Sequence, residues 1–333
     1  GFSYEKFTSI PMTYDLKTQS LSSVYFDGSN NTIAAPIYSV EWNNKAIYLQ
    51  DQIYLNEQFQ IIAGLRYDKF KTKFNDSVTI ANSATINDQF ISPRVGLVYK
   101  PIEPVSLYTN YSLSYLPRTG EQLTSLTSSI KSFDPEKITN IEFGIKYDLL
   151  QSFSISSAIY RLERSKMAIT DPSNSSNTII VDGQVTKGFE LGVAGKLFDS
   201  YSMYGGYTYQ DAEITKNQGG STPIASGATL GHVPKHTFSL WNKYEINETW
   251  SAALGVVSRS DMYAATPTTT TAVNLPGYTR VDAAIYANIN KQTKLQLNIE
   301  NLLDKTYYQS AHNNNNIIYG YPLTARATVT YTF

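Results

Sequence analysis

Apolar and polar residues alternate one for one over unusually long stretches of this chain. Ile141, Phe143, Ile145, Tyr147 and Leu149 interleave with Asn140, Glu142, Gly144, Lys146 and Asp148. Val281, Ala283, Ile285, Ala287 and Ile289 interleave with Arg280, Asp282, Tyr286 and Asn288, and Leu295, Leu297 and Ile299 with Lys294, Gln296, Asn298 and Glu300. A β-strand has a side-chain period of two, so each set lines one face. The last residues repeat the pattern: Ala327, Val329, Tyr331 and Phe333 fall on one parity, Arg326, Thr328, Thr330 and Thr332 on the other. A β-sandwich would show the same alternation, but length separates the two. Many runs extend over about 11–20 residues, against about 5–6 for a soluble strand. Long tilted strands are what a bilayer-spanning barrel requires.

Connections alternate between short and long. The short ones fall near Asn56-Glu57, Ile102-Glu103, Leu150-Gln151, Asp199-Ser200, Asn247-Glu248 and Lys291-Gln292. The long ones span 5–44, 75–89, 117–136, 171–178, 216–234, 264–276 and 309–321. Six short and seven long connections join 14 strands. Short turns at one end and long loops at the other is the arrangement of outer-membrane barrels, with the long loops extracellular. The expected fold is all-β: a transmembrane, antiparallel, up-and-down β-barrel wall.

Composition narrows this further. No stretch approaches the roughly 18 apolar residues of a transmembrane helix, and a barrel needs none. Tyrosine is abundant, 26 of 333 residues, which suits aromatic girdles. Cysteine is absent, which excludes disulfides and thiolate metal sites. A net charge of -1 argues against a nucleic-acid partner. No signal peptide is evident, and Gly1-Phe2-Ser3-Tyr4 reads as a strand already under way, so the expectation is a chain truncated at its N-terminus.

The polar face is charged as well as hydroxylated. Arg66, Asp68, Glu142, Lys146, Asp148, Glu190, Lys196, Arg280, Asp282, Glu300 and Arg326 are expected to point into the lumen. Buried charges need partners or water. So many inward charges imply a wide lumen that is wetted or plugged, whereas a small barrel packs its interior.

A strand that closes on Phe333 resembles the last strand of bacterial outer-membrane barrels, whose terminal aromatic is read by the barrel assembly machinery. Tyr331 and Phe333 are therefore the expected insertion signal. Further segments resemble TonB-dependent siderophore receptors in that family's order. They include Ala46-Ile47-Tyr48-Leu49-Gln50-Asp51-Gln52, Ala63-Gly64-Leu65-Arg66-Tyr67-Asp68 and Ser92-Pro93-Arg94-Val95-Gly96-Leu97. Glu142-Phe143-Gly144-Ile145-Lys146-Tyr147, Val233-Pro234-Lys235-His236, Leu275-Pro276-Gly277-Tyr278 and Asn301-Leu302-Leu303-Asp304-Lys305 with Tyr307-Tyr308 continue the series. The resemblance implies a plugged barrel of about 22 strands. Residues 1–333 would be its C-terminal portion, with the plug domain and first strands absent. It implies a multi-pass protein of the Gram-negative outer membrane that takes up a ferric siderophore actively, with TonB acting through the missing plug. Ser310-Ala311-His312-Asn313 and the Ser92–Pro101 segment favour a catecholate over a hydroxamate chelate. A bacteriophage or bacteriocin would dock on the long loops. The alternative is a self-contained 14-strand passive porin or fatty-acid channel, which requires the first strand to pair with the last.

A ferric chelate has a polarisable and often anionic periphery, which Tyr and Trp can stack on and Arg can complement. The candidate ligand residues are Tyr14, Tyr25, Phe26, Tyr38 and Trp42 in the first long loop. Tyr115, Arg118, Tyr263, His312 and Tyr319, with Tyr321, lie on or near others. Iron would arrive already chelated, so no protein metal ligands and no protein-held cofactor are expected. His232 lies on a predicted loop, and His236 opens a predicted strand. No Ser-His-Asp arrangement or metal-ligand spacing points to an enzyme. Asp27-Gly28-Ser29-Asn30-Asn31 reads as a turn. Asn313-Asn314-Asn315-Asn316 reads as a loop capped by its own amides, and Thr268-Thr269-Thr270-Thr271 as a flexible loop tip.

Overall fold

A computed structural model describes residues 2–9, 38–76, 83–117, 133–174 and 178–333. Fourteen strands form one antiparallel sheet in chain order. It opens with β1 (Phe2–Ser9), β2 (Tyr38–Tyr54), β3 (Phe59–Asp76), β4 (Ala84–Ile102) and β5 (Val105–Leu116). β6 (Glu136–Leu150) and β7 (Phe153–Ser165) follow, and a short hairpin of β8 (Met167–Thr170) and β9 (Thr178–Val181) stands between β7 and the next sheet strand. The sheet continues with β10 (Gln184–Phe198), β11 (Tyr201–Ile214), β12 (His236–Glu245) and β13 (Trp250–Arg259). A second hairpin, β14 (Met262–Tyr263) and β15 (Asn274–Leu275), leads to β16 (Tyr278–Asn288) and β17 (Thr293–Glu300). A third, β18 (Tyr308–Asn313) and β19 (Asn316–Tyr319), precedes β20 (Thr324–Tyr331). Each sheet strand pairs with its sequence neighbours in the sheet, the up-and-down order expected. Among the described residues β1 and β20 are the two edges. The strand 1 to strand 14 pairing that a self-contained channel requires is not formed there.

Register carries the alternation across the whole sheet. Ile61, Leu97, Thr109, Phe143, Ile159, Phe189 and Tyr209 form one cross-strand row. One residue along, the row is Gly96, Asn110, Glu142, Tyr160, Gly188 and Gln210. The first row faces outward: Phe143 and Ile159 remain more than half exposed on the protein surface. A face of exposed Ile, Leu, Val and Phe is stable where lipid covers it. The inner face carries charges, several of them in pairs. Arg66 grips Asp68 through two hydrogen bonds of 2.8 Å, and Asn44 donates to the same carboxylate. Lys146 meets Asp148 at 3.1 Å and Lys196 meets Glu245 at 3.5 Å. Tyr108 lies flat across Gly144 and donates to Glu142 at 2.7 Å. A Cβ at Gly144 would come within 2.3 Å of that ring, so glycine is what allows the ring to cover the wall.

The six short turns sit where the sequence predicts them, and three share one device. Asn56 Oδ1 accepts from the N–H groups of Gln58 and Phe59. Asn247 does the same for Thr249 and Trp250, and Asn290 for Gln292 and Thr293. Each asparagine side chain thus satisfies two turn donors and sets the reversal.

The long connections differ from expectation in two ways. β1 runs to Ser9 and β2 begins at Tyr38, so the first loop is shorter than 5–44, and Tyr38 and Trp42 belong to a strand. Backbone ladders to both neighbours extend the hairpin there: Trp42 stands opposite Thr72 on one side and Phe7 on the other. The later long loops also carry their own hairpins. Thr268–Thr271 is a closed turn pinned by Thr269 N–H to Pro223 O at 2.9 Å, not a free tip. Asn313 does cap its own loop, accepting from the N–H groups of Asn315 and Asn316.

Candidate functional site

At the end of the sheet opposite the short turns, β13, β16 and the β18–β19 hairpin build an aromatic and basic cluster. Arg259 closes β13 on the inner face, where it stands opposite Tyr278. Its guanidinium lies 5.1 Å from the centre of the Tyr278 ring, within cation–π range. Its Nη2 donates to Tyr308 O at 2.8 Å, tying the hairpin to the wall. Its Nε and Nη1 are buried and have no hydrogen-bond partner among the described residues. Tyr278 packs on Tyr307 at 4.3 Å between ring centres, and Tyr308 on Tyr319 at 4.8 Å. The hydrogen bond to the Tyr319 hydroxyl raises the Tyr308 phenol above its ordinary pKa.

Arg280 sits two residues below Tyr278 on the same face. It donates to the Tyr307 hydroxyl at 3.0 Å and to Asp282 Oδ2 at 2.8 and 3.1 Å. The other Asp282 oxygen accepts from the Asn301 N–H. Asn301 is buried in a left-handed conformation and donates to Lys305 O and Tyr321 O. The Asn-Leu-Leu-Asp-Lys segment is therefore a turn that anchors the last long loop to the barrel wall. Gly320 completes it. A Cβ there would lie 1.9 Å from the Tyr307 ring, and its N–H donates to Tyr307 O.

The loops pack on one another. Met262, Ala264 and Leu275 form a small buried core with Val273, Tyr308, Ala311 and Ile317, joining the second and third hairpins. His232 clasps the preceding loop to this pair, with its N–H on Tyr263 O at 2.9 Å and its ring on Ala264 O. These contacts hold a fixed rim, on which Tyr319 and Tyr321 are exposed.

The predicted ligand residues divide accordingly. Tyr319 lies in this cluster. Tyr263 lies beside it, and its backbone is engaged by His232. His312 is exposed in the bulge of the β18–β19 hairpin. Tyr115 is elsewhere, stacked on Phe90 at 5.2 Å. Tyr38 and Trp42 are strand residues of β2. Tyr14, Tyr25, Phe26 and Arg118 lie outside the described residues. His236 opens β12 and bonds the Tyr207 hydroxyl at 2.7 Å on the outer face. Tyr331 and Phe333 meet edge to face at 5.1 Å. Reading the sequence for loop aromatics missed Arg259 and Tyr278, and named Arg280 only as a lumen-facing charge. Their parity on β13 and β16 was the available signal, since it turns all three inward. Among the described residues no group of three or more His, Cys, Asp or Glu side chains could hold a metal ion.

An antiparallel up-and-down sheet with an apolar outer face, a charged inner face and an anchored aromatic cluster at one end is the wall of a β-barrel of the outer-membrane type. The chain belongs to the TonB dependent receptor-like, beta-barrel family, whose model matches residues 1–302. It is 32% identical over 296 residues to the "Probable TonB-dependent siderophore receptor PiuA" of Acinetobacter baumannii, covering 84% of this chain and 39% of that protein. It is 31% identical to the "Metal-pseudopaline receptor CntO" of Pseudomonas aeruginosa, covering 86% of this chain and 40% of the relative. The crystal structure of PiuA superposes with a TM-score of 0.78 at 28% identity, over 89% of this chain and 44% of that one. The chain thus spans about two fifths of the length of the curated relatives it matches. The family is one of outer-membrane transport receptors.

Proposed function

We propose that this chain forms part of the barrel of a receptor in the Gram-negative outer membrane that takes up a ferric siderophore by a TonB-dependent cycle. The observation that carries the reading is the mouth cluster. Arg259, Tyr278, Tyr307, Tyr308 and Tyr319 join a cation to phenol rings packed in tilted pairs at the end of the lumen, anchored from below by Arg280 and Asp282. An anionic chelate with a flat, polarisable periphery matches that surface. In this reading the chelate, with its ferric iron, is cargo. The wall supplies recognition and passage, and a plug elsewhere in the protein supplies the gate and the link to TonB. Fourteen strands of about 22 would then be present here. A catecholate is favoured over a hydroxamate because its aromatic rings can stack on the tyrosines, and a relative 25% identical over 298 residues is the "Catecholate siderophore receptor Fiu" of Escherichia coli.

The test uses the full-length receptor. Fluorescence quenching titrations with ferric catecholate, hydroxamate and carboxylate siderophores are compared with radio-iron uptake in cells with and without TonB. The expected result is saturable binding of one class, uptake lost without TonB, and at least about tenfold weaker binding after Tyr278→Leu, since aromatic and cationic contacts carry most recognition energy. Binding of no ferric chelate, or uptake that persists without TonB, overturns the reading.

A further inference from the structure

The inner wall changes its choice of cation along its height. Away from the short turns, inward arginines hold carboxylates in tight pairs: Arg66 on Asp68 and Arg280 on Asp282 at 2.8 Å, and Arg164 on Glu136 at 2.6 Å. Those carboxylates are at most 15% exposed. Within four residues of the short-turn strand ends, the inward cations are lysines. Lys146 lies near the end of β6, Lys196 near that of β10, Lys243 near that of β12, and Lys294 at the start of β17. Lys196 and Lys243 share a cross-strand row through Ser202, which continues through Ala253 and Ala284 to Asn298, on the face of Lys294. Lys146 has the parity of Glu142 on β6. With strands tilted about 45° and climbing about 2.3 Å per residue, all four stand within about 9 Å of the turns.

These lysines are loosely held. Asp148 meets Lys146 at 3.1 Å, and Glu245 is shared by Lys196 at 3.5 Å and Lys243 at 3.7 Å. The two carboxylates are 39–48% exposed. Lys294 stands between Asn288 and Thr330, exposed and with no ion pair among the described residues. Four ammonium groups therefore face two carboxylates, and the acids Asp199 and Glu248 in the turns beyond confine the positive excess to this one level. Arginine's planar fork suits a permanent pair, whereas lysine is a hydrated point charge on a flexible stem. A wall built to grip a fixed acidic surface would use arginine, as this wall does higher up. Loose lysines suit an anion that arrives and leaves. Glu142 and Glu190 each stand eight residues from the short-turn ends of their strands. An anion moving down from the mouth passes these carboxylates and then meets the lysines, whose field concentrates it at the exit.

We propose that Lys146, Lys196, Lys243 and Lys294 form a second, transient site for the anionic ferric chelate at the periplasmic end of the lumen, which draws the cargo past Glu142 and Glu190 after it leaves the mouth. The inference rests on the reading of the protein as a ferric-chelate receptor and adds a step that the mouth cluster does not supply.

The test uses the full-length receptor in cells, with an anionic ferric tricatecholate, an anionic ferric hydroxycarboxylate and a neutral ferric trihydroxamate as probes. Equilibrium binding, the saturating rate of radio-iron uptake, and killing by vancomycin, a molecule large enough to report a leaking barrel, are measured side by side. The combined Lys146→Gln, Lys196→Gln, Lys243→Gln and Lys294→Gln variant is expected to bind the anionic chelate within twofold of the parent and to take it up at least fivefold more slowly. Vancomycin resistance is expected to stay at the parental level. The corresponding Lys→Arg variant keeps the charge and is expected to keep uptake within twofold, as is Lys291→Gln, which lies in a turn beyond the four lysines. Folding is checked by the heat-dependent shift in gel mobility. If the quadruple glutamine variant does not fold, Lys294→Gln alone, which breaks no ion pair, must slow uptake at least twofold. A folded quadruple variant that takes up iron as the parent does overturns the inference and leaves the proposed function standing. Slower uptake accompanied by vancomycin entry or by weaker binding also overturns it, since the lysines would then hold the domain that fills the lumen. A parent that imports only the neutral chelate overturns the exit site alone, and one that imports none of the three overturns the proposed function with it.

Discussion

Replacing Ile145 by arginine tests the facing of the whole wall. Along β6 the outer face reads Lys137, Thr139, Ile141, Phe143, Ile145, Tyr147 and Leu149. A strand rising about 3.3 Å per residue and tilted about 45° climbs about 2.3 Å per residue along the membrane normal. An apolar band about 25 Å tall therefore covers about 11 residues. Thr139 to Leu149 is such a span, and its centre falls beside Ile145. Arginine there meets acyl chains about 2 Å from the midplane and is expected to cost about 2–4 kcal/mol. The same change at Thr139 or Leu149, near the interfaces, should cost about 0–1 kcal/mol. The assay is reversible denaturant unfolding of the full-length receptor in phosphocholine vesicles, followed by tryptophan fluorescence, at all three positions. A cost that peaks at Ile145 supports the geometry. A flat profile, or a larger cost at Thr139 than at Ile145, would refute the assignment of this face to lipid.

Four other perturbations probe the inner wall, the mouth loop, a turn and assembly. Gly144→Ala drives a methyl group into the Tyr108 ring and breaks the bond to Glu142, so it is expected to cost about 1–3 kcal/mol in detergent and in vesicles alike. Gly320→Ala displaces Tyr307 from Arg280 and should expose the 301–323 loop to limited proteolysis at protease levels the parent resists. Asn247→Ala removes two hydrogen bonds from a solvent-exposed turn and should lower unfolding stability by about 1–2 kcal/mol without altering ligand affinity. Phe333→Ser in the full-length receptor is expected to reduce the amount recovered in outer-membrane fractions while synthesis, measured by pulse labelling, is unchanged.

The wall was legible in the chain because every feature that builds it is local. Alternation needs only neighbouring residues, so Ile141 to Leu149 declares its lipid face without reference to any other strand. The turns are equally local, since Asn56, Asn247 and Asn290 bond N–H groups two and three residues ahead. Fourteen strands and their order follow from those two signals. The mouth could not be read the same way. Arg259 reaches Tyr308 across 49 residues, Arg280 reaches Tyr307 across 27, and His232 reaches Ala264 across 32. The hairpins of the long loops run from two to six residues per strand, too short to show a period. Their positions depend on packing among Met262, Leu275, Tyr308 and Ile317, which belong to separate loops. Period and turn chemistry therefore determined the barrel wall, while the partners of each mouth side chain were decided only when the strands aligned in register and brought distant loops together.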